Sequence, residues 1–381
     1  MQRSDFIEKI KKALEINPCA ALLGPRQCGK TTLAKAFAKK HKGPVNYFDL
    51  ENPVDLARLE QPMLALESLK GLIVIDEIRL RPNLFPILRV LIDTRTEQSL
   101  DKAFLILGSA SRDLIAQSSE TLAGRISYLE LTPFNYSETQ DVNTLWIRGG
   151  FPNSFLATNE LHSYQWRQEY IRTFLERDIP NLGIKIPAQT INKFWMMLTH
   201  YHGQFFNASE IGTSLGAAHT TIRRYLDILT GTFMIRELSP WIAEIAKRHI
   251  KSPKIYFRDS GIFHALLGIT EKKVLLTHPK LGASWEGFAL EEVIRHHAAR
   301  PEDCYFWGIH NQCELDLLIV KDNKKLGFEF KYMDAPRLTK SMRHANEILQ
   351  PDKLIVIYPG KENYRLAENI EVHGLTEYLQ T

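Results

Sequence analysis

Gly24-Pro25-Arg26-Gln27-Cys28-Gly29-Lys30-Thr31 fits the phosphate-binding pattern Gly-x-x-x-x-Gly-Lys-Ser/Thr. It stands between an apolar run, Ala20 to Leu23, and a helical pattern, Thr32 to Lys40. A strand that ends in a glycine-bracketed loop and opens a helix aims several backbone N–H groups at one point. The positive end of the helix dipole acts at the same point. Residues 24–32 are therefore the candidate nucleotide-binding loop, with Lys30 placed for the β- and γ-phosphates and Thr31 for Mg²⁺. The competing reading, a glycine-rich turn without ligand, loses weight because a second half of the motif follows.

That half is Leu72-Ile73-Val74-Ile75-Asp76-Glu77. A continuous apolar run of this length reads as a strand buried on both faces. Its terminal carboxylates fall where open α/β sheets place their ligands. Asp76 is the second candidate Mg²⁺ ligand, and Glu77 is the candidate that polarises the attacking water.

Five strand candidates, Ala20–Leu23, Val45–Leu50, Leu72–Asp76, Ala103–Gly108 and Ile126–Leu131, alternate with helical segments. The alternation predicts a parallel sheet with helices on both faces. Ser109, after the fourth strand, is the candidate γ-phosphate sensor, with Ser111 second. Arg125, before the fifth, is a candidate for stabilising charge on the γ-phosphate, in cis or from a neighbouring copy. A serine-rich turn and a surface arginine are the plain alternatives.

The arrangement resembles the AAA+ ATPases, and within them a bacterial and archaeal branch carrying a C-terminal domain of unknown function. The motifs are Gly24 to Leu33, Tyr47-Phe48-Asp49-Leu50, Ile75-Asp76-Glu77, Gly108-Ser109, Ala123-Gly124-Arg125 and Leu131-Thr132-Pro133-Phe134 with Glu138. Gly149-Gly150-Phe151-Pro152, Leu175-Glu176-Arg177-Asp178 and Asp259-Ser260-Gly261 continue it along nearly the whole chain. The resemblance implies ATP as the nucleotide and a fourth strand lying between the first and third. Leu107 departs from it, since the family commonly has a threonine there.

Turn signals from Pro133 to Pro152 predict a first domain over 1–150. A second, over 151–270, is helical. Asn207 to Ile211 opens a helix, Gly216 turns the chain, and Thr220 to Leu229 sets Ile222, Leu226 and Leu229 on one face. With strand-like Phe233-Met234-Ile235 and Lys254-Ile255-Tyr256-Phe257, this reads as a winged helix-turn-helix. His219, Thr220, Arg223 and Arg224 face outward, where a DNA reader makes its contacts, and Lys247, Arg248 and Lys251 add charge near the wing. A lid or a solvated face produces the same pattern.

The third domain, 271–381, reads as a helix containing Glu286, three strands, a helix and a strand. This order resembles the restriction-endonuclease-like fold. Asp316 interrupts one apolar strand and Glu329-Phe330-Lys331 the next, and period-2 geometry puts Glu329 and Lys331 on one face. Glu286, Asp316, Glu329 and Lys331 together resemble the PD-(D/E)xK nucleases, with Asp316 and Glu329 as metal ligands and Lys331 positioning a water or offsetting charge on the scissile phosphate. Leu315 stands where the superfamily's name has proline. A docking module without cleavage is the alternative. His310, Asn311 and Gln312 precede the Asp316 strand and are set to approach a substrate.

Net charge is only +4 over 381 residues, too weak to imply nucleic acid by itself. The four cysteines have no metal or disulfide spacing, and the amino terminus is amphipathic through Phe6, Ile10 and Leu14. No run approaches a membrane span. A cytoplasmic protein needing ATP and Mg²⁺ is expected, with nucleic acid (DNA ahead of RNA), a protein or further copies of itself as partners. Neither His296-His297 nor His200 with His202 supports a zinc site.

Overall fold

The computed structural model describes residues 3–94, 102–109, 118, 120–242, 252–309 and 313–381. The readings placed on Ser111, Lys247, Arg248, Lys251, His310, Asn311 and Gln312 fall outside these residues. Two compact units form, one over 1–133 with 231–233 and one over 134–230 with 234–381.

The first unit holds the expected parallel sheet. Its strands are β1 (Cys19–Leu23), β2 (Val45–Asp49), β3 (Gly71–Asp76), β4 (Lys102–Gly108) and β5 (Ile126–Glu130). They lie in the order β2-β3-β4-β1-β5, with the fourth strand between the first and third. The alternation of strand side chains builds two cores. Ala21, Leu23, Ile73, Ile75, Phe104 and Ile106 face one side and pack with Leu84, Phe85 and Leu88 of the helix Leu84–Asp93. Ala20, Leu22, Leu72, Val74, Leu105 and Leu107 face the other. There they meet Phe6 and Ile10 of the helix Ser4–Ile16 and Leu33 and Phe37 of the helix Lys30–Lys40. Each buried Leu, Ile, Val or Phe among them contributes about 1.5–3 kcal/mol. Burial on both faces explains why these strands are continuous apolar runs.

The second unit corrects the expected boundaries. Residues 149–152 are not a linker. The Gly150 N–H donates to Asp259 Oδ2 at 2.8 Å, and Phe134 N–H donates to the Gly150 carbonyl at 2.7 Å. A Cβ on Gly149 would lie 2.1 Å from Asp259 Oδ1, and one on Gly261 2.1 Å from the Arg148 carbonyl. These glycines permit close packing, so the unit starts near residue 134 rather than 151.

The second and third expected domains fall in one compact unit. A nine-stranded sheet, β13-β14-β12-β11-β10-β9-β7-β8-β6, runs through both. β6 (Gln204–Phe205), β7 (Ile235–Pro240) and β8 (Lys254–Phe257) accompany three helices, Ala188–Leu198, Ala208–Leu215 and His219–Gly231. Gly216 makes the turn between the last two at φ 62°. Ile222, Leu226 and Leu229 are buried as their spacing requires. Phe233 turns at φ 63° instead of joining the strand, which starts at Ile235.

β7 then pairs in parallel with β9 (Cys304–Ile309) through Ser239–Tyr305 and Pro240–Phe306. From the helix Leu281–His296 the order is β9, β10 (Cys313–Lys321), β11 (Lys324–Phe330), the helix Lys340–Leu349 and β12 (Lys353–Tyr358), as expected. β10 and β11 form a hairpin that turns at Asp322 and Asn323, φ 51° and 61°. Positive φ at both positions matches the twist of the flanking strands. β13 (Tyr364–Ala367) and β14 (Ile370–Gly374) close the sheet edge. Among the described residues no helix is long and apolar enough to cross a membrane.

Candidate nucleotide site and a buried charge cluster

In the first unit, β1 delivers the chain to the loop at Gly24. A Cβ there would lie 2.2 Å from the Leu131 carbonyl, so no other residue fits. Gly29 caps the helix Lys30–Lys40 at φ 99°, a left-handed conformation that favours glycine. The buried Lys30 ammonium donates to the carbonyls of Gly24 at 3.0 Å and Pro25 at 2.8 Å. Arg26 pairs with Glu51 at 3.4 Å. Gln27 bends the loop at φ 60° and is exposed, as is Thr32. Cys28 is buried and its Sγ donates to the Leu131 carbonyl at 3.4 Å. Burial pushes its thiol pKa up, so it is an inert packing residue.

β3 brings Asp76 to the same sheet edge, only 3 % exposed. The Thr31 hydroxyl donates to Asp76 Oδ2 at 2.7 Å, and the Glu77 N–H donates to Oδ1 at 3.0 Å. Tyr47, on β2, donates its hydroxyl to the same Oδ2 at 2.7 Å. Burial and then the Asp76 charge hold the Tyr47 phenol protonated and well above its usual range. Glu77 sits at φ 55°, and its Oε2 accepts from Arg79 Nε at 2.7 Å. Ser109 follows the carboxyl end of β4, beside these residues' strands.

Arg125 requires a correction to its in-cis role. It precedes β5, and its carbonyl accepts from Cys19 N–H at the amino end of β1. That is the sheet edge opposite the loop. Its guanidinium is taken by Asp93, with Nη2 to Oδ2 at 3.0 Å.

In the second unit, Glu286, Asp316, Glu329 and Lys331 do converge, around a residue the sequence reading passed over. Lys254, on β8 and 2 % exposed, forms an ion pair with Glu314 and lies 3.5 Å from Asp316 Oδ1 and 3.9 Å from Glu286 Oε1. Tyr256, two residues along β8, donates to Glu286 Oε1 at 2.7 Å. Asp316 Oδ2 accepts the Phe330 N–H at 3.0 Å. Lys331 donates to Glu329 Oε1 at 2.6 Å, whereas Glu329 Oε2 is buried with no hydrogen-bond partner. Burial, then the Asp316 charge, raises the Glu286 carboxyl from 4.5 to about 8 and that of Glu329 to about 7. One signal was available: a lysine and a tyrosine at period 2 in a strand otherwise fit for a core.

A cleft of about 1240 Å³ opens beside this cluster, lined by His219, Arg223, Lys254, Glu314 and Ser341 among others. Arg223 is neutralised by Glu237 and by Asp227, the latter at 3.3 Å. His219, Thr220 and Arg224 are exposed on the same helix.

Comparison with known proteins agrees with the first unit's geometry. Residues 17–140 match the family model of an AAA domain. Residues 139–273 and 281–378 match models described as domains of unknown function, DUF8612 and DUF4143. The uncharacterized proteins Rv2008c of Mycobacterium tuberculosis and Mb2031c of Mycobacterium bovis are each 46% identical over 383 residues, covering 100% of this chain and 85% of theirs. The chain belongs to the family of these mycobacterial proteins, and it carries a P-loop ATPase domain of the AAA type. Among solved structures, the Walker-type ATPase PABY2304 of Pyrococcus abyssi is 14% identical at a TM-score of 0.47, covering 70% of this chain and 95% of its own. A RuvB variant of Thermotoga maritima is 18% identical at 0.33, covering 61% and 88%.

Proposed function

We propose that this AAA-family chain hydrolyses ATP with Mg²⁺ and uses the nucleotide cycle as a switch. Its second unit, in this reading, recognises nucleic acid rather than cutting it. The observation that carries the ATPase reading is the contact between Thr31 and Asp76. A hydroxyl and a carboxylate share a hydrogen bond of 2.7 Å at the carboxyl end of a parallel sheet, the hydroxyl belonging to the residue next to Lys30. These are hard oxygen donors that fit Mg²⁺, which when bound with ATP offsets charge on the β- and γ-phosphates. Lys30 exchanges its loop carbonyls for phosphate oxygens. Glu77, once released from Arg79, orients the attacking water, and Ser109 is the candidate sensor beside it.

The second unit supports a winged helix-turn-helix joined to a restriction-endonuclease-like body. The order of three helices and β6, β7 and β8, with β8 between the other two, is that of a winged helix. DNA is the partner its exposed His219, Thr220 and Arg224 fit best, although Arg223 has its charge already compensated. The non-cutting reading is favoured by Lys254 among the carboxylates. The convergence of Glu286, Asp316, Glu329 and Lys331 favours the second reading, metal-dependent cleavage.

Incubation of the full chain with single- and double-stranded DNA and with RNA, in Mg²⁺ or Mn²⁺ with and without ATP, separates the two. The recognition reading expects DNA retention that weakens steeply with salt and no cleavage. Cleavage lost in Asp316→Ala would establish the nuclease.

A further inference from the structure

The four residues that resemble a nuclease centre do not fit a divalent metal as they stand. Among the described residues no group of three His, Cys, Asp or Glu side chains is arranged to hold one. A small divalent cation wants near-octahedral oxygen donors at about 2.0–2.1 Å. Here the oxygens turn toward something else. Asp316 offers Oδ1 to the Lys254 ammonium and Oδ2 to the Phe330 N–H. Glu286 Oε1 accepts from Tyr256 and faces the same ammonium. Glu314 reaches in from the cleft side to pair with it.

We propose that Lys254 is the resident cation of this carboxylate centre, its ammonium standing where a nuclease would hold a metal ion, so that the centre excludes divalent cations. The inference deepens the non-cutting reading above and rests on it.

Three observations support the assignment. First, the ammonium is anchored. Besides three carboxylates it faces the rings of Phe205 and Phe306, 5.8 and 5.9 Å from their centroids, and its residue is almost wholly buried. Although its residue borders the cleft, the ammonium is held by these groups and is almost wholly buried. Second, it arrives from β8, outside the αβββαβ body that supplies the carboxylates. The continuous sheet through β7 and β9 fixes it there. Third, the cluster keeps one buried acceptor unpartnered, Glu329 Oε2. With Glu329 Oε1 taken by Lys331, that single oxygen is too few for a second cation while Lys254 stays.

Removing that one charge should therefore convert the centre. The test is Mn²⁺ binding to the full chain without nucleotide, read by loss of the free-ion spin-resonance signal. It compares wild type, Asp316→Asn, Lys254→Met and the double variant. The phosphate loop is intact in all four, so any ion held there cancels. Wild type and Asp316→Asn should bind the same number of ions. Lys254→Met should bind one more per chain, and the double variant should lose it.

Two results overturn the proposal: a wild-type chain that loses one bound Mn²⁺ on Asp316→Asn, or a folded Lys254→Met that gains none. Should Lys254→Met fail to fold, the wild-type comparison with Asp316→Asn decides alone. Wild type that binds Mn²⁺ through Asp316 yet cuts nothing sinks only this inference. Wild type that also cleaves sinks the recognition reading with it.

Discussion

The Tyr47 hydroxyl donates to Asp76 Oδ2 at 2.7 Å, the same oxygen that accepts from Thr31. Two hydroxyls from different elements thus fix the rotamer of one nearly buried carboxylate. Thr31 is a candidate ion ligand, whereas Tyr47 lies on the neighbouring strand and acts through Asp76 as a positioning residue. A hydrogen bond to a charged group is worth about 1.5 kcal/mol or more, roughly tenfold in an equilibrium constant. Tyr47→Phe should raise the Mg²⁺ concentration for half-maximal ATP turnover about tenfold. Metal-free ATP binding should hardly change. Equal losses in both would make Tyr47 merely structural.

The Asp259 carboxylate holds two backbone donors, Gly150 N–H at 2.8 Å and Ile262 N–H at 2.9 Å. Burial raises its carboxyl pKa, and those two bonds oppose the shift. Asp259→Ala orphans both donors in a place where Gly149 and Gly261 leave no slack. The expected loss is about 3 kcal/mol, read as a lower urea midpoint with an unchanged slope for the second unit's transition. Asp259→Asn, which can still accept one of the two bonds, should lose less.

The four most strongly shifted buried groups of the second unit should leave its stability nearly flat from pH 4.5 to 6.5 and let it fall on either side. His202 and His264 are buried, which lowers each from 6.5 to about 3. Between those values the unfolded chain binds protons that the folded chain refuses, so the histidines' contribution to stability falls as pH drops below 6.5. Glu286 and Glu329 run the other way. Their folded carboxyls titrate near 8 and 7 against 4.5 unfolded, so the folded chain holds the extra protons and the carboxyls' contribution to stability falls as pH rises from 4.5 to 8. Asp316→Asn removes the largest charge that raises both. Urea midpoints from pH 5 to 9 should show a shallower alkaline fall in that variant and, because the carboxyls then offset the histidines less, a midpoint that rises with pH between 5 and 6.5.

The parallel sheet was legible because burial on both faces forces unbroken apolar runs, and the loop because only glycine fits at Gly24 and Gly29. Arg125 could have been placed from its position alone, since a residue that precedes a strand of a parallel sheet lies at the amino edge, opposite the loop. Gly149-Gly150 misled: glycine marks both a mobile junction and a close approach of backbones, and Asp259, more than a hundred residues later, decides between them. Glu286, Asp316, Glu329 and Lys331 were found by element order and strand period. Lys254 and Tyr256 were not, because their place depends on β8 joining the same sheet as β9 and β10. No local pattern carries that pairing.

The most direct test of the central claim is phosphate release from Mg²⁺-ATP by the full chain, compared with Lys30→Ala and Glu77→Gln. Wild type should turn over. Lys30→Ala should neither bind ATP well nor release phosphate, and Glu77→Gln should bind ATP normally while losing about 100-fold or more in rate, as expected when a general base is removed. Equal phosphate release from wild type and Lys30→Ala would contradict the assignment of this loop as the site of hydrolysis.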